Sequence, residues 1–118
     1  MLLNILINDD EPLIIELFSD LFGSSEVFIM ATTSPQEAIT YSQNNPIDLA
    51  FLDYRMPLIT GDTVAQKMPS EIPKYLVTGE FDLSPIYKFN KILKKPLDIT
   101  EIQKIIDQAL AYKKSQIN

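Results

Sequence analysis

Residues 48–57 read DLAFLDYRMP, and in them the apolar run Leu49-Ala50-Phe51-Leu52 ends abruptly in a carboxylate, Asp53. A short apolar run bounded by polar residues suits a strand buried on both faces, as in a parallel sheet. A carboxylate at the carboxyl end of such a strand lies where open α/β sheets bind their ligands. Taken alone, Asp53 reads more readily as a turn residue ahead of Met56-Pro57, because Asp favours turns through local hydrogen bonds. The rest of the chain decides between the two.

Working outward, residues 2–7 (LLNILI), 26–31 (EVFIMA), 74–77 (KYLV) and 91–93 (KIL) read as further short strands. Helical spacing separates them. Pro12 follows Asn8 and the acidic run Asp9-Asp10-Glu11, and Leu13, Ile14, Leu17, Phe18 and Leu21 recur as an apolar stripe up to Gly23. Ser34-Pro35-Gln36-Glu37 has the form of a capping box opening a second helix that ends at Asn44-Asn45-Pro46. A short third helix is expected over 62–68, closed off by Pro69 and Pro73. Residues 81–90 leave room for a cramped fourth helix at best, starting near Ser84-Pro85. The last helix is the clearest, with Asp98 and Glu101 as a capping pair. Its stripe is Ile99, Ile102, Ile105, Ile106, Ala109 and Leu110, and Lys113 and Lys114 sit at its negative end. The tail SQIN reads as frayed. Strands alternating with helices imply βαβ units, and right-handed crossovers make a five-stranded, doubly wound parallel sheet the simplest arrangement.

Composition narrows the chemistry. The 118 residues are 46% hydrophobic and 22% charged, which fits one domain with one core over 1–118, without linker or repeat. There is no Cys and no His, which excludes disulfides, thiolate chemistry, His-based metal sites and Ser-His triads. A net charge of −6 and a pI near 4.5 argue against direct nucleic-acid binding. No apolar run is long enough to span a bilayer, and the N-terminus lacks the pattern of a signal peptide. A cytoplasmic protein is expected, with no membrane partner.

Four of the expected strands end in unusual polar groups: Asp9 and Asp10 after the first, Asp53 after the third, Thr78 after the fourth and Lys95 after the fifth. Parallel strands bring all of these to one edge of the sheet. Three crowded carboxylates repel one another and would be stabilised by a hard divalent cation with oxygen ligands, for which Mg²⁺ is suited. A hydroxyl and a compact ammonium beside that cation would hold a phosphoryl group, and a carboxylate can be the nucleophile that receives it. Each part has a plainer reading. Asp9 and Asp10 could be helix-start acids, Thr78-Gly79 an ordinary turn, and Lys95 a solvated lysine beside Lys91 and Lys94. Their joint occurrence at four strand ends, in this order, is what the plainer readings leave unexplained.

Together the motifs ILINDDEP, DLAFLDYRMP, LVTG and KKPLD make the chain resemble a receiver domain of two-component response regulators, from Leu3 to about Lys114. The resemblance implies a CheY-like, flavodoxin-like sheet of order 2-1-3-4-5, here with shortened third and fourth helices. It implies that Asp53 is the phosphoacceptor, loaded from a phosphohistidine on a sensor histidine kinase or histidine phosphotransfer protein. Asp9 and Asp10 match the acidic pair that organises Mg²⁺, with Asp10 the direct ligand and the backbone carbonyl of Arg55 a further one. Thr78 matches the hydroxyl that shifts onto the phosphoryl group. Lys95 matches the lysine of the family, with a cis peptide usual before Pro96. Ile92 stands where the family often carries the aromatic of its switch, and Tyr87 and Phe89 are out of register with it. Arg55 and Glu80 occupy positions that tune phosphoryl lifetime in the family, and an Arg55–Glu80 ion pair partly covering the phosphoryl group is expected.

The resemblance implies a signalling switch with a downstream protein partner, not a turnover enzyme; its own phosphorylation and hydrolysis are its only chemistry. No output domain is expected after the last helix. A stand-alone regulator, a phosphate shuttle and a receiver from a larger protein all remain open, with Met1 favouring a natural N-terminus. Two alternatives stand beside this reading. One is a degenerate receiver that binds partners without phosphorylation. The other is a Mg²⁺-dependent phosphohydrolase with an Asp nucleophile. That enzyme would need a second Asp two residues on, where this chain has Arg55, which cannot supply a proton.

Overall fold

Strand β3 (Leu49–Asp53) is buried along its whole length and forms the centre of a five-stranded parallel sheet ordered β2-β1-β3-β4-β5. A computed structural model describes residues 2–116. The other strands are β1 (Leu3–Asn8), β2 (Val27–Thr32), β4 (Lys74–Thr78) and β5 (Lys91–Lys94). The helices are α1 (Pro12–Phe22), α2 (Pro35–Asn44), α3 (Gly61–Lys67) and α4 (Ile99–Ser115). The expected sheet and strand order are therefore observed. Of the tail, Ser115 closes α4 and Gln116 caps it, while Ile117 and Asn118, like Met1, lie outside the described residues. No helix among the described residues is long and apolar enough to cross a membrane.

Alternation along the strands splits the core in two. Ile5, Ile7, Leu49, Phe51, Val77 and Leu93 face α1 and α4, where Phe18, Phe22, Ile102 and Ile106 close over them. Leu6, Ala50 and Leu52 face α2 and α3, against Ala38, Ile39, Val64 and Ala65. Phe51 is fully buried, with the Phe18 ring 5.1 Å away on one side and the Tyr75 ring stacked at 5.4 Å. Burying one such side chain stabilises the fold by about 1.5–3 kcal/mol. Both expected caps form: Ser34 Oγ accepts from the Glu37 N–H at 3.1 Å, and Asp98 Oδ1 from the Glu101 N–H at 3.2 Å.

Two expectations change. Only part of the α1 stripe turns inward: Phe18 and Phe22 are buried, while Leu13, Leu17 and Leu21 are 78%, 49% and 40% exposed and make an outward apolar stripe. Ile99, expected on the inner stripe of the last helix, is likewise exposed. Glu16, Ser19 and Asp20 mark a polar side of α1, but its apolar residues spread over a wider arc than the sheet covers, which leaves Leu13, Leu17 and Leu21 outside.

The second change is larger. No helix forms between β4 and β5, and residues 79–90 run as an irregular strap. Leu83, Pro85, Tyr87 and Phe89 are half-buried and alternate with exposed neighbours, a period of two that no helix can present to a core. Tyr87 and Phe89 pack edge to face at 5.0 Å over the α2–α3 side of the core. Asp62, a buried carboxylate in the first turn of α3, takes the N–H groups of Ile86 and Tyr87 at 2.8 and 2.9 Å. Those two donors are thereby lost to any helix, and Pro85 lacks one. Lys74, fully buried at the start of β4, donates to Pro69 O, Ile72 O and Tyr87 Oη at 2.7, 3.0 and 3.0 Å.

Replacing Asp62 by Ala leaves two inward-facing N–H groups without an acceptor. Urea denaturation should show a loss of about 2 kcal/mol or more, since bonds to charged groups contribute about 1.5–3 kcal/mol each. An unchanged midpoint would show that the strap is held by packing alone.

Candidate functional site

The sheet register builds the site. Asn8 pairs with Leu52, so the next step along each strand puts Asp9 beside Asp53. Thr78 pairs with Lys94, and the Lys95 N–H donates to Thr78 O at 2.8 Å, which extends the ladder to Lys95. Lys95 is followed by a cis bond to Pro96, as the resemblance implies. Asp53 sits at the end of a rigid strand, and Gly61 lies so close behind it that a Cβ there would collide with the Asp53 carbonyl. The Asp53 backbone and the start of α3 are thus in direct contact.

Asp9, Asp10 and Asp53 converge, each offering a carboxylate oxygen within 4.8 Å of the others. Lys95 Nζ bridges two of them, 3.1 Å from Asp9 Oδ2 and 3.1 Å from Asp53 Oδ1. Asp9 Oδ1 accepts from the Glu11 N–H at 3.0 Å, which fixes its rotamer at the mouth of α1. Asp9 and Asp53 are 2% and 5% exposed. Burial, followed by the Asp9 charge, pushes the Asp53 pKa up to about 6; the hydrogen bond and charge of Lys95 pull the other way, and Asp10 adds a smaller upward push. Burial lowers the pKa of Lys95, but hydrogen bonds and Coulomb attraction from Asp53 and Asp9 outweigh it and leave the ammonium above its ordinary value. Three carboxylates against one ammonium leave excess negative charge in a site where Asp9 and Asp53 are buried and Asp10 is partly so. Such an all-oxygen donor set fits a hard divalent cation better than a transition metal.

Thr78 is buried at the same edge, but its hydroxyl accepts from the Glu80 N–H at 3.1 Å and bonds neither Asp53 nor Lys95 among the described residues. Arg55 and Glu80 do meet: Arg55 Nε donates to Glu80 Oε1 at 3.1 Å, with a second contact from the other guanidinium nitrogen. Arg55 also lies over the Tyr54 ring at 5.3 Å, and its backbone is bridged to Thr60. Ile92 is half-buried opposite Leu76, away from the carboxylates. Lys94 was not singled out in the sequence, yet its ammonium reaches Glu80 O, and Phe81 O at 3.3 Å. The doublet Lys94-Lys95 carried that signal, since adjacent strand residues point to opposite faces.

A parallel sheet of this order, with carboxylates, hydroxyl and lysine at its carboxyl edge, defines the receiver class. The chain belongs to the response regulator receiver domain family, whose model matches residues 5–107. Members of this family are signalling modules rather than dedicated enzymes; they bind Mg²⁺ in an acidic pocket and work with histidine kinases and downstream targets. The response regulator GtcR of Aneurinibacillus migulanus is 34% identical over 67 residues, which are 57% of this chain and 28% of that protein, so the chain corresponds to only part of its length. Among solved structures, the receiver domain of an HD-domain protein from Pseudomonas fluorescens Pf-5 is similar at TM-score 0.84 and 22% identity, over 98% of this chain and 99% of that one. A receiver domain from Clostridium thermocellum matches at 0.83 and 23%, over 98% and 100%. At these identities the structural matches show the fold.

The Asp53 shift fixes a pH dependence. Its pKa is about 6 in the folded chain against 3.8 for an ordinary carboxyl. Below the lower value both states hold the proton. As pH rises toward 6 the unfolded chain loses the proton first, so stability falls, and above 6 the full penalty remains. Asp53→Asn should therefore be more stable than wild type at pH 7.5 without divalent ions, by about 1–2 kcal/mol after allowing for the lost Lys95 contact. The gain should fade near pH 4. Melting curves across pH check this, and an Asn variant less stable at pH 7.5 would contradict it.

Proposed function

We infer that this receiver accepts a phosphoryl group on Asp53 from a phosphohistidine and signals by the resulting change at its surface. The observation that supports this best is the Asp9–Lys95–Asp53 bridge at the end of β3. An Asp53 carboxylate oxygen attacks phosphorus, the P–N bond to the imidazole breaks, and the electron pair returns to the donor nitrogen. Lys95, already within bonding distance of Asp53, pairs with the incoming phosphoryl oxygens. Asp9, Asp10 and Asp53, with the Arg55 carbonyl, would hold Mg²⁺, which when bound supplies positive charge against the phosphoryl oxygens. Water then returns the switch: it attacks phosphorus and the P–O bond to Asp53 breaks.

The partner reading has its own support. An apolar groove of about 210 Å³ lies beside Lys95, lined by Ile14, Leu17, Leu21, Pro96, Leu97 and Ile99. It suits the helix of a kinase or phosphotransfer protein carrying the donor histidine. The reading assigns the chain to one receiver unit over 1–118, working inside the cell.

Acetyl phosphate with Mg²⁺ tests the reading without a protein donor. The expected result is a mass gain of one phosphoryl group, base-labile and lost in Asp53→Asn. No adduct would leave a receiver that binds partners without phosphorylation, and sustained turnover of phosphoesters would favour a hydrolase. The Arg55–Glu80 pair lies at the surface and adds little to stability, so its effect should be kinetic. Arg55→Ala should shorten the life of the aspartyl phosphate several-fold. An unchanged decay rate would discard the covering role.

A further inference from the structure

Glu80 is held by all three of its polar groups, each to a different segment. Its N–H donates to Thr78 Oγ1 at the end of β4, its carboxylate pairs with Arg55 after β3, and its carbonyl accepts from Lys94 at the end of β5. Lys94 also bonds Phe81 O at 3.3 Å and lies 5.6 Å from the Phe81 ring, which is 87% exposed. These partners surround the Asp53 edge. Residues 82–85 make no hydrogen bond among the described residues. From Ile86 onward the strap is fixed again: to Asp62 through two N–H groups, to Lys74 through Tyr87 Oη, and by two bonds between Asn90 and the Lys74 backbone at 2.8 and 2.9 Å.

We propose that residues 79–90 are a two-part strap, with a latch at Glu80 that opens when Asp53 is loaded and an anchor at Asp62 and Lys74 that stays shut. This rests on the phosphoacceptor reading. The two halves differ in what opening them requires. The Arg55 and Glu80 side chains are 71% and 39% exposed and Lys94 is exposed, so water replaces their contacts at little cost. Asp62 and Lys74 are 7% and 0% exposed, and parting them from their partners strands buried charge. The trigger falls on the weak half. When the Thr78 hydroxyl turns to donate to a phosphoryl oxygen on Asp53, it leaves the Glu80 N–H. Arg55, drawn to the same phosphoryl charge, leaves the Glu80 carboxylate. Residues 82–85 absorb the movement, and Tyr87 and Phe89 keep the core covered. In place of a rotating helix, the signal is then a short exposed segment, Glu80 to Leu83, whose apolar tip is Phe81.

Hydrogen exchange of single amides by NMR tests this, with trifluoroberyllate and Mg²⁺ as a stable phosphoryl mimic. A bound fluorine resonance, absent in Asp53→Asn, reports occupancy separately. With that resonance present, exchange at Glu80 should rise about tenfold, as for one lost hydrogen bond, while Ile86 and Tyr87 stay unchanged. A bound resonance with both halves faster, or neither, overturns the proposal alone. No bound resonance overturns the phosphoacceptor reading and the latch with it. Without any ligand, Asp62→Ala should speed exchange at Ile86 and Tyr87 but not at Glu80; Asp62→Asn, which keeps one acceptor oxygen, should do so less. Equal acceleration at Glu80 in either variant would make the strap one unit and overturn the division.

Discussion

Three carboxylates share one edge of a buried sheet with a single ammonium between two of them, and the rest of the molecule is arranged around that crowding. In water such a cluster would disperse. Here the strands prevent it: Asp9 and Asp53 are the next residues after a paired register position, so they move only if β1 and β3 part. Those strands are pinned by the core on both faces, with Leu6 and Leu52 on one side and Ile7 and Phe51 on the other. Apolar burial thus holds a strained electrostatic arrangement in place, and Lys95 offsets part of the repulsion. The raised pKa of Asp53 records what is left.

That residue of unbalanced charge connects structure to chemistry. A site that is stable as it stands has little to gain from a cation or a phosphoryl group. A site with excess negative charge and all-oxygen donors gains from the first, and the first prepares it for the second. The groups nearest the edge already have other partners: Thr78 is occupied by the Glu80 backbone and Arg55 by the Glu80 side chain.

What was legible in the sequence was local or repeated along a strand. The apolar runs ending in Asp9, Asp53, Thr78 and Lys95 placed the sheet and its functional edge, and the motifs Ser34–Glu37 and Asp98–Glu101 placed two helix starts. Helix α1 was found, but its stripe took in Leu13, Leu17 and Leu21, which stay exposed, because the apolar arc of this helix is wider than the face the sheet covers. The strap was misjudged for a different reason. Ser84-Pro85 suggested the start of a cramped helix, although Leu83, Pro85, Tyr87 and Phe89 lie at every second position. The residues that fix it, Asp62 and Lys74, contact it across 24 and 13 positions, and charged residues in a sequence read as solvated until a fold buries them.

The measurement that bears most directly on the crowded edge is thermal stability as Mg²⁺ is added at constant ionic strength, followed by circular dichroism at pH 7.5. Wild type should melt at rising temperature as the ion fills the site, with a gain of about 1.4 kcal/mol at ten times the dissociation constant. Asp10→Asn should lose most of that response. A melting temperature in wild type that does not move with Mg²⁺ would contradict the view that these three carboxylates form a cation site.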